Sequence, residues 1–323
     1  MKSKVGIGLM MLFVFAAGLS AQASTVAYWR FEEGPAGAPV SHGGMPAGVY
    51  YEGTADSSGN GYGLSVWAEG WAGYAYRSEV GISPIPQTGQ VNQFSVKNTG
   101  GYPAMFTSSE DAIRYITPSA FTIEATFKLE NGGHRTMVGR DSYGTNTAGA
   151  KTEAALAALY FQAIPNNALA IKFCDVSGYW HEAISAENIF TGFDYPTNPE
   201  GVGVPWYSMA AVSDGSTLSL YLLEIGSEAG WQLIAQTDMT ASGSPNTALT
   251  AGAGDGGDWD AGNWSVGRGL YNGGHVDRAY GFLDEIWISD SALSVGEFLI
   301  PEPASLLIAA LGSVCLGLRR KSH

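Results

Sequence analysis

Cysteine is almost absent from this chain, and its scarcity excludes one common way of stabilising a protein. Only two cysteines, Cys174 and Cys315, occur among 323 residues. Cys315 lies in an apolar run near the C-terminus and Cys174 lies in the body of the chain, so the two are not expected to pair. Without a disulfide framework the fold depends on core burial, and Cys174 is expected to be a small buried hydrophobe.

Positive charge is also scarce. The chain has 16 Lys and Arg residues against 30 Asp and Glu residues, which gives a formal net charge of −14. Several of the basic residues lie at the two ends of the chain, so the body between them is more acidic still. A surface that binds nucleic acid or anionic lipid needs the opposite sign of charge. The composition therefore argues against both classes of partner and favours hard cations such as Ca²⁺.

The motifs of common hydrolases are missing as well. No pair of glutamates flanks an aspartate at the same-face spacing that places two carboxylates across a glycosidic bond. No G-x-S-x-G elbow occurs, and His181-Glu182 lacks the second histidine of a zinc-protease helix. The sequence therefore predicts a protein that is not an enzyme. A polysaccharide hydrolase stays the less favoured alternative, because catalytic pairs can also come from distant loops.

The N-terminus has the pattern of a secretory signal peptide. Two lysines precede the apolar run 5–19, and an Ala-Gln-Ala cleavage site ending at Ala23 follows it. Cleavage after Ala23 would make Ser24 the first residue of the mature chain. An uncleaved membrane helix is the alternative, which the short run and the small-residue site disfavour.

The C-terminus combines a tripeptide, a short apolar run and a basic end. In order, these are Pro301, Glu302, Pro303, the run 304–318, Arg319 and Arg320. As a helix the run would span about 22 Å, against about 30 Å for the hydrocarbon core of a bilayer. It has no polar face, which argues against a helix packed on a soluble core. The pattern favours a segment that is inserted in the membrane only temporarily, with the tripeptide positioned just outside the membrane.

Period-two alternation in the body predicts β-strands. In 121–129, five apolar residues share one face and four polar residues share the other, which indicates a half-buried antiparallel strand. Asp214-Gly215 lies between two apolar runs and predicts a hairpin. Residues 26–31, 168–173, 264–267 and 282–288 are further strand candidates. High glycine content, 44 residues, and 12% aromatic residues fit a strand-rich fold with elaborate loops.

Helical signals are few. Ser294 and Glu297 fit a capping box, which predicts a short helix. The Ala- and Leu-rich stretch 152–160 fits either a helical turn or the lead-in to a strand. No repeat or Pro/Ser-rich linker divides the body, so 24–300 is predicted to form one all-β domain. This domain lies between a signal helix in 1–23 and a C-terminal segment, 301–323, whose apolar run 304–318 is predicted to form a hydrophobic helix.

Several stretches of the body match one family in order. They are 28–34, 56–61, 121–129, 206–221, 266–269, and 281–289 with 292–298. This order resembles the laminin-G-like domains of the concanavalin A-like lectin/glucanase superfamily, over about residues 26–299. The resemblance implies a jelly-roll sandwich of two antiparallel sheets. The stretch 62–120 is longer than is usual in that family.

The tail resembles the PEP-CTERM sorting signal of exported proteins in Gram-negative bacteria. The matching features are the Pro-Glu-Pro tripeptide, the apolar run and the arginines at its end. In that family a membrane protease-transpeptidase, exosortase, is thought to read the tripeptide and release or transfer the protein. The resemblance implies an exosortase-type partner, a transient hold in the inner membrane through 304–318, and delivery to the cell surface or extracellular matrix.

Adjacent acids in the last strand raise the question of a metal. Asp284 and Glu285 should point to opposite faces, so one of them lies beside apolar neighbours and needs a cation or several donors. The laminin-G-like resemblance implies one structural Ca²⁺ held by Glu32, Asp56 and Asp284, together with backbone carbonyls. The alternatives are an Asx turn at Asp56, or a salt bridge to one of three arginines: Arg30, Arg268 or Arg278.

Aromatic residues are the candidates for ligand binding. Trp67, Trp71 and Tyr74 crowd the probable loop 66–76, and Trp180 lies in a second cluster. Their flat faces suit sugar rings, although ordinary packing of long loops is the alternative. The sequence thus predicts an exported, surface-sorted, non-catalytic carbohydrate-binding or adhesive module of the extracellular polysaccharide matrix. A structural matrix protein without a specific ligand is the alternative.

Overall fold

The computed structural model describes residues 24–40, 50–67, 73–142, 157–252, 262–271 and 274–301. The signal helix predicted in 1–23 and the hydrophobic helix predicted in 304–318 lie outside the described residues. Within the ranges given, no helix is both long and apolar enough to cross a membrane.

The described residues form eighteen β-strands and four short 3₁₀ helices. In chain order the strands are β1 (Thr25–Trp29), β2 (Tyr50–Thr54), β3 (Leu64–Trp67), β4 (Tyr74–Arg77), β5 (Ser95–Asn98), β6 (Ala104–Thr107), β7 (Phe121–Leu129), β8 (Arg135–Arg140), β9 (Leu159–Ile164), β10 (Ala168–Cys174), β11 (Trp180–Ile184), β12 (Tyr207–Ser213), β13 (Thr217–Glu224), β14 (Gln232–Asp238), β15 (Trp264–Val266), β16 (Gly269–Tyr271), β17 (Gly274–Val276) and β18 (Gly281–Ser289). The 3₁₀ helices are Ala112–Tyr115, Pro165–Asn167, Met239–Ser242 and Val295–Glu297.

Two antiparallel sheets of eight strands each make up the sandwich, and β16 and β17 form a separate hairpin. The front sheet has the order β14-β13-β12-β7-β18-β5-β4, and β1 pairs with β18 beside this path. The back sheet has the order β11-β10-β9-β8-β15-β6-β3-β2. The predicted all-β fold, a jelly-roll sandwich of two antiparallel sheets, is confirmed.

Local sequence signals are also confirmed where the structure describes them. Asp214-Gly215 joins β12 to β13, whose paired residues include Ser213 and Leu218. Ser294 and Glu297 form both bonds of a capping box at the 3₁₀ helix Val295–Glu297. Of the undecided stretch 152–160, the final residues lead into β9, and 152–156 lies outside the described part of the chain.

The core lies between the two sheets, and β7 shows how it is built. Five side chains of β7 alternate into the main hydrophobic cluster, as predicted: Phe121, Ile123, Ala125, Phe127 and Leu129. The prediction that its other face is solvated was wrong, because the four polar residues between them are buried too. A second layer therefore covers the outer face of the front sheet.

Three loop segments form this outer layer, residues 78–94, 193–206 and 290–301. Trp206 and Phe193 pack on Phe282 of β18. Ile85 and Leu299 pack on Tyr28 of β1. Loops rather than solvent therefore meet the outer face of the front sheet at these positions.

The last described segment, residues 293–301, is a C-terminal strap across the front sheet. The backbone N–H of Leu299 donates to the Glu124 carboxylate at 3.0 Å, and Trp231 Nε1 donates to the Ile300 carbonyl at 2.7 Å. Burial raises the pKa of Glu124 to about 8. The ring of Phe298 meets that of Trp231 edge-on at 4.9 Å. The folded domain thus extends up to the Pro-Glu-Pro tripeptide.

Candidate functional site

Asp284 and Glu285 both point away from the main core, because β18 contains a β-bulge. Along β7, Asp284 pairs with Thr126 and Trp287 pairs with Glu124, so β18 carries one extra residue between these pairs. Glu285 occupies the left-handed region with φ of 48°, and both acids are buried. The prediction that they lie on opposite faces was therefore wrong. The bulge places both carboxylates beneath the outer layer.

Glu285 is paired. Its Oε1 accepts from Arg30 Nε and Nη2 at 3.2 Å each, and its Oε2 accepts from the Tyr28 hydroxyl. The Arg30 guanidinium also donates to the Val91 carbonyl at 2.8 Å, which ties the pair to the outer layer. The salt bridge from Arg30 considered for the last strand is therefore made to Glu285.

Only one of the two carboxylate oxygens of Asp284 has a hydrogen-bond partner among the described residues. Its Oδ2 accepts from Asn92 Nδ2 at 2.8 Å, whereas its Oδ1 has no hydrogen-bond partner among the described residues. The Oδ1 of Asn92 is likewise buried without a partner in the same part of the structure. Burial raises the pKa of Asp284 well above its usual range, and the charges of Glu285 and Glu32 raise it further. Two acceptor oxygens without donors are what a bound cation would satisfy.

Glu32 belongs to the same region and Asp56 does not. Oε1 of Glu32 accepts from the backbone N–H groups of Gln93 and Phe94, next to Asn92. Asp56 instead closes a turn: its two carboxylate oxygens accept from Ser58, Tyr62 and Tyr28. The described residues contain no cluster of three or more His, Cys, Asp or Glu side chains that could hold a metal.

The other two arginines considered as partners lie elsewhere. Arg268 forms a bidentate ion pair with Asp141, at 3.2 and 2.7 Å, and both side chains are buried. Its guanidinium also lies 5.5 Å from the ring centre of Phe106. Arg278 donates to the Pro103 and His275 carbonyls. Asp284 has no salt bridge to either arginine.

The aromatic residues predicted to share the loop 66–76 are split between the sheets. Trp67 ends β3 in the back sheet, Tyr74 begins β4 in the front sheet, and Trp71 lies outside the described residues. The side chain of Tyr74 is 1% exposed, and its hydroxyl donates to the Gly267 carbonyl at 3.2 Å. Burial raises the pKa of Tyr74, so this tyrosine packs the core instead of presenting a face to a ligand.

Trp180 stays at the surface, on the edge strand β11 of the back sheet. Its ring centre lies 6.4 Å from that of Tyr160 and 5.3 Å from Lys172 Nζ. The neighbouring His181 is buried and lies 2.8 Å from an Asp175 oxygen. The second aromatic cluster therefore contributes one half-exposed tryptophan.

A cavity that the sequence did not reveal opens at the edge of the outer layer, beside β5 and β18. Its volume is about 270 Å³. Eight residues line it: Lys97, Asn98, Gly100, Glu130, Phe193, Tyr195, Tyr280 and Gly281. They come from four separate segments of the chain, so no motif or periodicity could have brought them together. Tyr195 is 51% exposed here, although it lies beside the buried Phe193.

Comparison with known proteins identifies the tail. Residues 299–321 match the family model of the PEP-CTERM protein-sorting motif, which confirms the resemblance predicted from the sequence. The motif indicates export, membrane-associated sorting to the cell surface and processing by an exosortase. It begins at Leu299, so its first residues are buried in the strap of the folded domain.

A search of curated proteins returned no match. Among solved structures, the binding domain of botulinum neurotoxin serotype G aligns with a TM-score of 0.46 and 8% identity, over 90% of this chain and 51% of that one. The binding domain of botulinum neurotoxin DC in complex with SialylT aligns at 0.44 and 11%, over 89% and 52%. The CBM40 of Ruminococcus gnavus IT-sialidase bound to α2,3 sialyllactose aligns at 0.38 and 12%, over 58% and 83%. The chain spans about half the length of the two toxin domains.

Proposed function

We propose that this protein is an exported, surface-sorted, non-catalytic module that binds carbohydrate in the extracellular polysaccharide matrix. The sorting motif of the tail supports the location. The cavity with Tyr195 and Tyr280 in its wall supports the ligand, since a concave site with aromatic faces and a few polar groups suits a sugar. A structural matrix protein without a ligand is the competing function.

The burial of the adjacent carboxylates favours binding over hydrolysis. Glycoside hydrolysis needs two carboxyl groups that flank the scissile bond of an accessible substrate. Asp284 and Glu285 lie beneath the outer layer, and the second of them is engaged by Arg30 and Tyr28. A polysaccharide does not reach them without displacement of that layer.

A glycan array tests the function. The full-length protein, purified in mild detergent, is expected to bind a subset of immobilised polysaccharides and to release no soluble sugar from them. The array is run once with calcium and once with EDTA. If a structural calcium ion supports the fold of the binding site, sugar binding should be weaker in EDTA. A blank array in both conditions would identify a structural matrix protein, and release of oligosaccharides would identify a hydrolase.

A structural Ca²⁺ beside Asp284 is part of the proposal. Asp284 Oδ1 and Asn92 Oδ1 have no hydrogen-bond partner among the described residues, and oxygen atoms of this kind are the ligands that Ca²⁺ prefers. The negative charge of Glu32 acts on the same region. These three side chains would hold the ion with help from backbone carbonyls. The ion would neutralise a buried carboxylate and stabilise the outer layer. Asp56, whose oxygens are used in its turn, is not included.

Removal of calcium is expected to lower the melting temperature of the protein by about 5–10 °C, if the ion is present at about 100 times its dissociation constant. Differential scanning calorimetry in calcium and in EDTA measures this shift. Asp284→Asn should abolish the response, because it removes the charge that binds the ion. The matched control Asp56→Asn should weaken the turn but keep the response. Equal melting temperatures in calcium and EDTA would disprove the site.

A further inference from the structure

Two glycines, Gly100 and Gly281, line the cavity beside β5 and β18. Gly100 has φ of 117° and an added Cβ there would meet no atom within 4 Å. Gly281 has φ of 133°, and a Cβ there would lie 2.3 Å from the Lys128 carbonyl oxygen. Only glycine is compatible with this backbone at 281, so the wall of the cavity is bare backbone at this position.

Two tyrosines supply the faces of this cavity. Tyr280 is held in place, because its hydroxyl donates to the Gly101 carbonyl at 3.4 Å and the Arg135 guanidinium lies 5.0 Å from its ring centre. Tyr195 is more than half exposed and has no ring partner among the described residues. An aromatic face of this kind packs against the C–H groups of a sugar ring while hydroxyls stay in contact with polar groups.

One acidic side chain in the wall is available as an acceptor. Oε2 of Glu130 lies 3.4 Å from Arg135 Nη2, whereas Oε1 has no partner within the described part of the chain. The side chain is 23% exposed. A carboxylate oxygen accepts strong hydrogen bonds from hydroxyl donors, so Glu130 is suited to hold a sugar hydroxyl.

The positive charges around the cavity are already paired. Lys97 Nζ lies 2.7 Å from a carboxylate oxygen of Glu200 and donates to the Pro199 carbonyl at 2.7 Å. Arg135 is paired with Glu130. An anionic sugar would therefore meet the open oxygen of Glu130 without a free cation to offset the repulsion. The charge distribution favours a neutral ligand.

We propose that this cavity is the carbohydrate site and that it takes a single neutral sugar ring between Tyr195 and Tyr280, with a hydroxyl donated to Glu130. The volume of about 270 Å³ fits one ring, because it lies just below the range of about 300–1,000 Å³ of sites for drug-sized ligands. The assignment rests on the proposed function, since it names the site and sugar class of the same binding activity.

Affinity electrophoresis of the full-length protein in mild detergent tests the site. The gels contain dextran or galactomannan as neutral probes, and polygalacturonate or hyaluronan as anionic probes. The wild-type protein is expected to be retarded by at least one neutral polymer. Tyr195→Ala should weaken that binding about tenfold or more, as loss of a central aromatic contact does. Glu130→Gln should weaken it several-fold, because a neutral amide accepts more weakly than a carboxylate.

Tyr115→Ala is the matched control, since Tyr115 is also a largely exposed tyrosine but lies on the 3₁₀ helix Ala112–Tyr115, away from the cavity. It should bind like the wild type. Retardation of the wild type with no loss in Tyr195→Ala would overturn the site and leave the carbohydrate function standing. Stronger retardation by the anionic polymers would overturn the sugar class. No retardation by any polymer would overturn the function and the site together.

Discussion

Replacement of Phe298 by alanine is expected to lower the free energy of unfolding by about 3–5 kcal/mol. Phe298 is 0% exposed and packs edge-on against the rings of Trp231 and Tyr221. It anchors the strap on the front sheet, where Leu299 and Ile300 are also buried. The substitution removes a large buried side chain and leaves a cavity that the surrounding sheet can fill only in part.

Urea unfolding followed by tryptophan fluorescence measures this loss, because Trp231 lies in the affected cluster. Ser294→Ala is the matched control in the same strap. It removes the side-chain bonds that Ser294 makes to Glu297 in an exposed capping box and should cost about 1 kcal/mol. If the two substitutions lowered the free energy of unfolding equally, the strap would not unfold cooperatively with the rest of the domain.

The strap has a consequence for sorting. The sorting motif begins at Leu299, yet the chain up to Pro301 is buried in the domain. No spacer therefore separates the folded domain from the tripeptide that an exosortase is thought to read. Processing beyond Pro301 would leave the strap in place. A cut before Phe298 would remove its buried residues Phe298, Leu299 and Ile300 and expose the apolar surface beneath them.

Replacement of Arg268 by methionine is expected to lower the free energy of unfolding by about 3–5 kcal/mol. Methionine keeps much of the volume against Phe106 but leaves the Asp141 carboxylate buried without its bidentate partner. The cost comes mainly from the desolvation of a buried carboxylate that has lost its bidentate cation, rather than from the loss of attraction alone.

The double variant Arg268→Met/Asp141→Leu separates these two causes, and it is expected to regain part of the lost stability because neither charge of the pair stays buried. Lys172→Met is the matched control, since its ion pair with Glu182 is exposed and should contribute less than about 1 kcal/mol. Urea unfolding of all three variants is the measurement. A double variant no more stable than Arg268→Met alone would contradict this explanation.

Much of the fold could be predicted because it depends on local chemistry. Residues that are close in sequence determine three of the confirmed features: the alternation in β7, the Asp214-Gly215 hairpin and the Ser294 capping box. The burial of an acid in β18 could be predicted for the same reason. The bulge at Glu285 could not, because a bulge is a property of how β18 pairs with β7.

The candidate sites were less predictable than the fold. Trp67 and Tyr74 are near each other in sequence, yet they belong to different sheets. Tyr195 and Tyr280 are far apart in sequence, yet they line one cavity. Aromatic residues serve packing and binding equally well, so composition alone does not tell which of them stay exposed.

By itself, then, the sequence determined the strand-rich class, the absence of a disulfide framework, the acidic surface and the sorting motif. Each of these follows from residue type and from order along a short stretch. Only the tertiary structure decided that the polar face of β7 is covered, that Asp284 keeps an acceptor without a donor, and that the domain continues to Pro301. These depend on which distant segments pack together, because burial and hydrogen-bond satisfaction are set by neighbours in space.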